Sequence, residues 1–123
     1  MINHTKLVVS SIVMLILDFI NLHLRKNYYS KFFYNIQKSN LKLNYLGALF
    51  AYISMILLLN IFILNENKIS YIKSFLLGIF VYMVYDGTNL ATFKNWTLYF
   101  FITDVIWGGL LFLLTTYITV NII

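Results

Sequence analysis

Four long apolar stretches separated by short polar ones make up most of the chain. They run from Leu7 to Leu24, Tyr45 to Leu64, Tyr71 to Phe93 and Trp96 to Val120. Each reaches or approaches the roughly 20 residues that a helix needs to cross a hydrocarbon core of about 30 Å. Lipid offers no partner to a backbone N–H or C=O, and a helix satisfies both within the segment. A soluble bundle would need a polar stripe along each helix, and most turns here lack one. The pattern predicts an all-α integral membrane protein: four transmembrane helices in a small bundle, as a single transmembrane domain over 1–123. The first stretch continues past Asp18 to Leu24 with no small-residue cleavage site behind it, so it reads as a retained helix rather than a signal peptide.

The segment between the first two spans has a different period. Tyr29, Phe32, Phe33 and Ile36 recur at i, i+3, i+4 and i+7, with Lys31 and Lys38 opposite. This predicts a short amphipathic helix anchored in the headgroup region. Trp96, Tyr99, Tyr45 and Tyr117 fall near span ends, where an aromatic belt belongs. Ser70, Ser74 and Gly78 form a row of small residues entering the third span, and Gly47 and Ala51 do so in the second. Such rows let helices approach closely, and packing within the bundle is the simplest use for them.

Composition sharpens the class. Apolar residues make up 61% of the chain and charged ones 11%, against about 25% charged in soluble domains. With no Cys, disulfide scaffolds, thiolate metal sites and cysteine nucleophiles are excluded. The net charge is +5, but the basic residues flank apolar spans, so they point to an anionic lipid surface and not to nucleic acid. Arg25, Lys26, Lys31, Lys38, Lys42 and Lys94 lie in the first and third loops, and Lys6, Lys68 and Lys73 on the other side. This bias predicts cytoplasmic first and third loops, with both termini on the opposite side of the membrane. Asn3-His4-Thr5 and Asn95-Trp96-Thr97 are formal glycosylation sequons, but both hug the membrane.

The acidic residues carry the most information. Glu66 lies in a loop, whereas Asp18, Asp86 and Asp104 lie inside predicted spans with no Lys or Arg at similar depth. Asp18 is six residues before Leu24, Asp86 seven before Phe93 and Asp104 eight after Trp96. At about 1.5 Å per residue these positions are roughly 9, 10 and 12 Å inside the same boundary. An aspartate at a span centre costs about 2.5–3.5 kcal/mol, and intramembrane acids usually face the bundle interior and mark a function. Asn21, Asn89 and Trp107 each follow an aspartate by three residues, on the same helix face. Three solutions suit such a cluster. The acids can share protons and hydrogen bonds as a structural knot. They can bind a divalent cation, for which all-oxygen ligands suit Mg²⁺, Ca²⁺ or Mn²⁺. They can also perform acid–base work on a lipid headgroup.

The polar signatures also come in a characteristic order. They are Leu17-Asp18-x-x-Asn21-Leu22, then Tyr85-Asp86-Gly87-Thr88-Asn89 with Trp96, then Asp104-x-x-Trp107-Gly108. The series resembles the domain-of-unknown-function 2177 family of predicted membrane proteins. That family has Leu-Asp-x-x-Trp-Leu in the first helix, Tyr-Asp-x-Thr-Asn in the third and Asp-x-x-Trp-Gly in the fourth. Asn21 stands where the family usually has Trp, which makes this position more polar. The resemblance implies the four-span fold and supports a site at Asp18, Asp86 and Asp104, and it implies no particular activity.

Taken together, these residues predict a multi-pass membrane protein with an intramembrane acidic site that handles protons or a divalent cation. Asp86 is the central residue, and Asn89 and Trp107 orient the acids. The alternatives are a structural or assembly subunit, and a small membrane enzyme acting on lipid. A transport role in so small a bundle calls for a homo-oligomer.

Overall fold

The computed structural model describes residues 2–123. It contains five α-helices: α1 (His4–Leu24), α2 (Lys26–Gln37), α3 (Tyr45–Leu59), α4 (Tyr71–Thr92) and α5 (Leu98–Ile122). A π-helical turn, Asn60–Leu64, prolongs α3. The helices α1, α4 and α5, and α3 with its π turn, are long and apolar enough to cross a membrane.

The span starts are set by short polar side chains. Asn3, Asn44, Ser70 and Thr97 each accept a hydrogen bond from the backbone N–H three residues on, at 3.0, 3.1, 3.3 and 3.1 Å. Each thereby satisfies one of the donors that a helix start leaves free. Thr97 moves the start of α5 to Leu98, two residues later than the apolar pattern predicts. Two of these caps, Asn3 and Thr97, belong to the glycosylation sequons.

Helix α5 is central. It pairs closely with α4, and the seam is made by glycine: a Cβ on Gly78 would collide with the Gly108 carbonyl, and one on Gly108 with the Tyr82 ring. Ser74 and Gly78 line this seam, whereas Ser70 caps the helix. Gly108, which the small-residue rows did not include, faces Gly78 across the seam. The Gly47–Ala51 row takes no part in helix packing: both residues are exposed, and a Cβ on Gly47 would meet nothing nearer than the cap Asn44 at 3.9 Å. Helix α1 packs on α5, and α3 packs mainly on α1 and only sparsely on α4. Met14, Ile56, Leu59, Ile63, Leu64, Leu111 and Phe112 form the apolar core. Large apolar side chains elsewhere on the four spans face outward, toward lipid.

The amphipathic helix does more than lie in the headgroups. Tyr29 and Phe32 of α2 are buried against Trp96 and Phe100. Phe32 stacks on Phe100 with ring centroids 4.0 Å apart and planes 4° apart, and Trp96 meets Phe32 edge-on at 5.1 Å. Trp96, placed by its sequence position in an aromatic belt, is thus 5% exposed and part of a plug. Helix α2 therefore closes the end of the bundle that carries the first and third loops, hereafter the loop end. The opposite end, where both chain termini lie, is the terminal end.

Candidate functional site

Near the loop end, α1, α4 and α5 carry Asp18, Asp86 and Asp104 to neighbouring positions. The three differ sharply in what they touch. Asp18 is saturated: Trp107 Nε1 donates to its Oδ1 at 2.9 Å, and the Tyr52 hydroxyl donates to its Oδ2. One carboxylate thereby joins α1 to both α5 and α3. The spacing of Trp107 pointed to Asp104 on its own helix, and instead the indole crosses to α1.

Asp86 and Asp104 form a pair. Asp86 is fully buried, with its carboxyl beside that of Asp104 and close to the Trp96 indole. No orthodox hydrogen bond results: both Asp86 oxygens and Trp96 Nε1 have no partner among the described residues. A carboxylate is an acceptor only, so two facing carboxylates leave each other unsatisfied unless one carries a proton. Asp104 is 7% exposed and also lies within electrostatic reach of Asp18 and Arg25. Asn89 does not bond to Asp86; its side chain neighbours Tyr85 one turn earlier.

Among the described residues, no group of three acidic or histidine side chains stands where it could hold one metal ion. The reason is visible in the partners. Both Asp18 oxygens are engaged by Tyr52 and Trp107, and Asp86 is turned toward Asp104 and Trp96.

A cavity of about 480 Å³ opens beside the acids, lined by Asp18, Asn21, Tyr52, Tyr82, Asp104 and Trp107 among others. Asp86 and Asn89 do not line it. Asn21 donates to the Tyr29 hydroxyl at 3.1 Å and so latches α2 over the cavity. Burial pushes the Tyr29 phenol up from its ordinary value. Arg25, at the α1–α2 joint, lies 5.1 and 5.2 Å from the Tyr28 and Tyr29 ring centres, a cation–π arrangement that holds the joint.

Residues 4–121 match the family model described as Predicted membrane protein (DUF2177). The chain belongs to the DUF2177 family. No curated protein and no solved structure matches it. It is thus a multi-pass integral membrane protein in contact with the lipid bilayer. In this DUF2177 chain, Asn21 is the α2 latch.

Sequence reasoning missed a second polar layer toward the terminal end. Ser10, Asn60, Ser74, Thr115, Thr116 and Thr119 are all buried there. Asn60 donates to Ser10 Oγ at 2.9 Å and to the Ile56 carbonyl at 2.8 Å. Ser74 Oγ lies 2.9 Å from the Phe112 carbonyl and 2.6 Å from Thr116 Oγ1. A mid-span Asn and a Thr-Thr pair were the available signals, and they are quieter than a charge.

Proposed function

We propose that the Asp86–Asp104 pair binds and releases a proton, and that this exchange is the working element of the protein. One observation carries the reading. Asp86 is fully buried beside a second carboxyl, and its oxygens have no donor among the described residues. A proton held between the two carboxyls supplies the missing donor, and its release leaves two facing like charges. Intramembrane acids arranged in this way belong to proton relays and transport pathways more often than to inert cores. The Lys and Arg bias supports a cytoplasmic loop end, so the proton would be exchanged with that side. The polar side chains of the terminal layer are buried, so net transport calls for a homo-oligomer or a rearranged bundle.

The rival reading, a structural or assembly subunit, draws on Asp18, whose hydrogen bonds join three helices. The two readings separate by experiment. Thermal unfolding of detergent-solubilised wild type and Asp86→Asn would be followed across pH and with added Mg²⁺, Ca²⁺ and Mn²⁺. The expected result is that wild type loses stability as pH rises while Asp86→Asn does not, because the amide keeps its donor at every pH. Identical pH profiles for the two proteins would overturn the proton reading. Stabilisation of wild type by a divalent cation would restore the metal alternative.

A further inference from the structure

We infer that the cavity beside the acids is a binding site for an organic ammonium ion carrying an apolar tail. Three features of the cavity point to this chemistry. The first is charge. Asp18 and Asp104 both line the cavity. Asp18 already accepts two hydrogen bonds, and the close polar neighbour of Asp104 is another acid, Asp86; with one proton shared between them, that pair still carries one negative charge. At 7% exposed, Asp104 is thus a buried acceptor at the cavity wall without a countercharge in contact. No Lys or Arg is among the described lining residues. The nearest guanidinium, Arg25, is occupied with the Tyr28 and Tyr29 rings.

The second feature is the aromatic wall. Tyr29, Tyr52, Tyr82 and Trp107 stand around the acids in the same cavity. Ring faces attract cations, by about 2 kcal/mol when the pair is desolvated. Tyrosines and a tryptophan enclosing a carboxylate therefore favour an alkylated ammonium over a strongly hydrated metal ion. The third is shape. About 480 Å³ falls within the range of small-molecule pockets. Away from the acids the wall turns apolar, with Met55 and Leu58 of α3 facing Val81 of α4, where these two helices pack only sparsely. An apolar tail would lie between them while the headgroup meets Asp104. Anionic headgroups would face two carboxylates and be repelled.

This site differs from the proton pair in its residues. Asp104 belongs to both, Asp18 to the cavity alone and Asp86 to the pair alone, so the two ideas can fail separately. The test uses the full chain in a nonionic detergent and three probes of equal chain length: decyltrimethylammonium, decanol and decyl sulfonate. The chain has two tryptophans, so Trp96→Phe leaves Trp107, in the cavity wall, as the sole tryptophan reporter under selective excitation. Thermal unfolding of the unsubstituted protein with each probe gives an independent ranking. The expected result is saturable binding of decyltrimethylammonium in both assays, with clearly weaker binding of decanol and none of the sulfonate. Asp104→Asn should weaken the ammonium by about thirtyfold or more, as removing one partner of a buried charge pair does. Asp86→Asn should retain ammonium binding even where it abolishes the pH response described above. Equal affinity for decyltrimethylammonium and decanol would overturn the proposal, since the cavity would then be a generic apolar crevice. So would an Asp104→Asn protein that binds the ammonium as well as wild type.

Discussion

At the terminal end of the bundle, six polar side chains, all hydroxyls or an amide, are buried among the helices. At the loop end, two of the three buried aspartates, Asp18 and Asp104, border a cavity of about 480 Å³. The difference follows from what each group can do for itself. A Ser, Thr or Asn side chain both donates and accepts, and it can donate to a carbonyl of its own or a neighbouring helix. Asn60 does so to Ile56 and Ser74 to Phe112. An aspartate only accepts, and the interior of a helix has no free N–H to offer it. It must borrow donors from elsewhere, as Asp18 does from Tyr52 and Trp107, or stay unmet, as Asp86 does among the described residues. Bulky aromatic donors hold helices apart where hydroxyls let them close. The terminal layer is therefore polarity used for packing, and the acidic layer is polarity that needs something added.

The largest expected effect removes the comparison altogether. Gly108 and Gly78 lie between the two layers and hold α4 against α5 for both. Gly108→Ala places a methyl group in the Tyr82 ring. Overpacking of this kind costs typically 1–3 kcal/mol and occasionally more, and here the obstacle is a ring beside backbone, so we expect about 3 kcal/mol or more. Yield of folded protein and its unfolding temperature would both fall, and a variant as stable as wild type would contradict the seam. Next in size is a contrast within the acidic layer. Asp18→Asn loses a charged acceptor from two bonds and is expected to cost about 2 kcal/mol, whereas Asp86→Asn at neutral pH should cost little or nothing. Equal losses in denaturant titrations would mean that the three acids form one equivalent knot. The smallest effect tests the terminal layer. Ser74→Ala removes a bond to Phe112 and one to Thr116, for a loss of about 1 kcal/mol. Thr115 Oγ1 has no partner among the described residues, so Thr115→Val should be neutral or slightly stabilising. Opposite signs in the same unfolding assay are the expected outcome.

The spans were legible because their signal is length times hydrophobicity, and caps moved their ends by only a few residues. That the three acids come to neighbouring positions in the bundle was legible too, since rise per residue converts spacing into distance. Partners were not. Trp107 is three residues from Asp104, but the indole is long enough to reach a neighbouring helix, and intrahelical spacing says nothing about which partner wins. The docking of α2 was half legible: the period of Tyr29 and Phe32 defined an apolar face but not whether lipid or Trp96 and Phe100 would cover it. The α4–α5 seam escaped because Gly108 becomes meaningful only when Gly78 stands opposite.

The π turn at Asn60–Leu64 has a consequence for how the chain tolerates change in length. Asn65 N–H bonds the Asn60 carbonyl at 2.9 Å, five residues back instead of four, so this turn carries one residue more than an α turn. Lys6 Nζ fastens its far end by donating to the Leu64 carbonyl at 2.8 Å. The extra residue is in effect an insertion stored as a bulge. Losing one residue between Asn60 and Leu64 would turn the bulge into ordinary helix and leave the face of α3 that precedes it as it is. One residue gained or lost anywhere else along α3 would swing everything beyond it by roughly 100°.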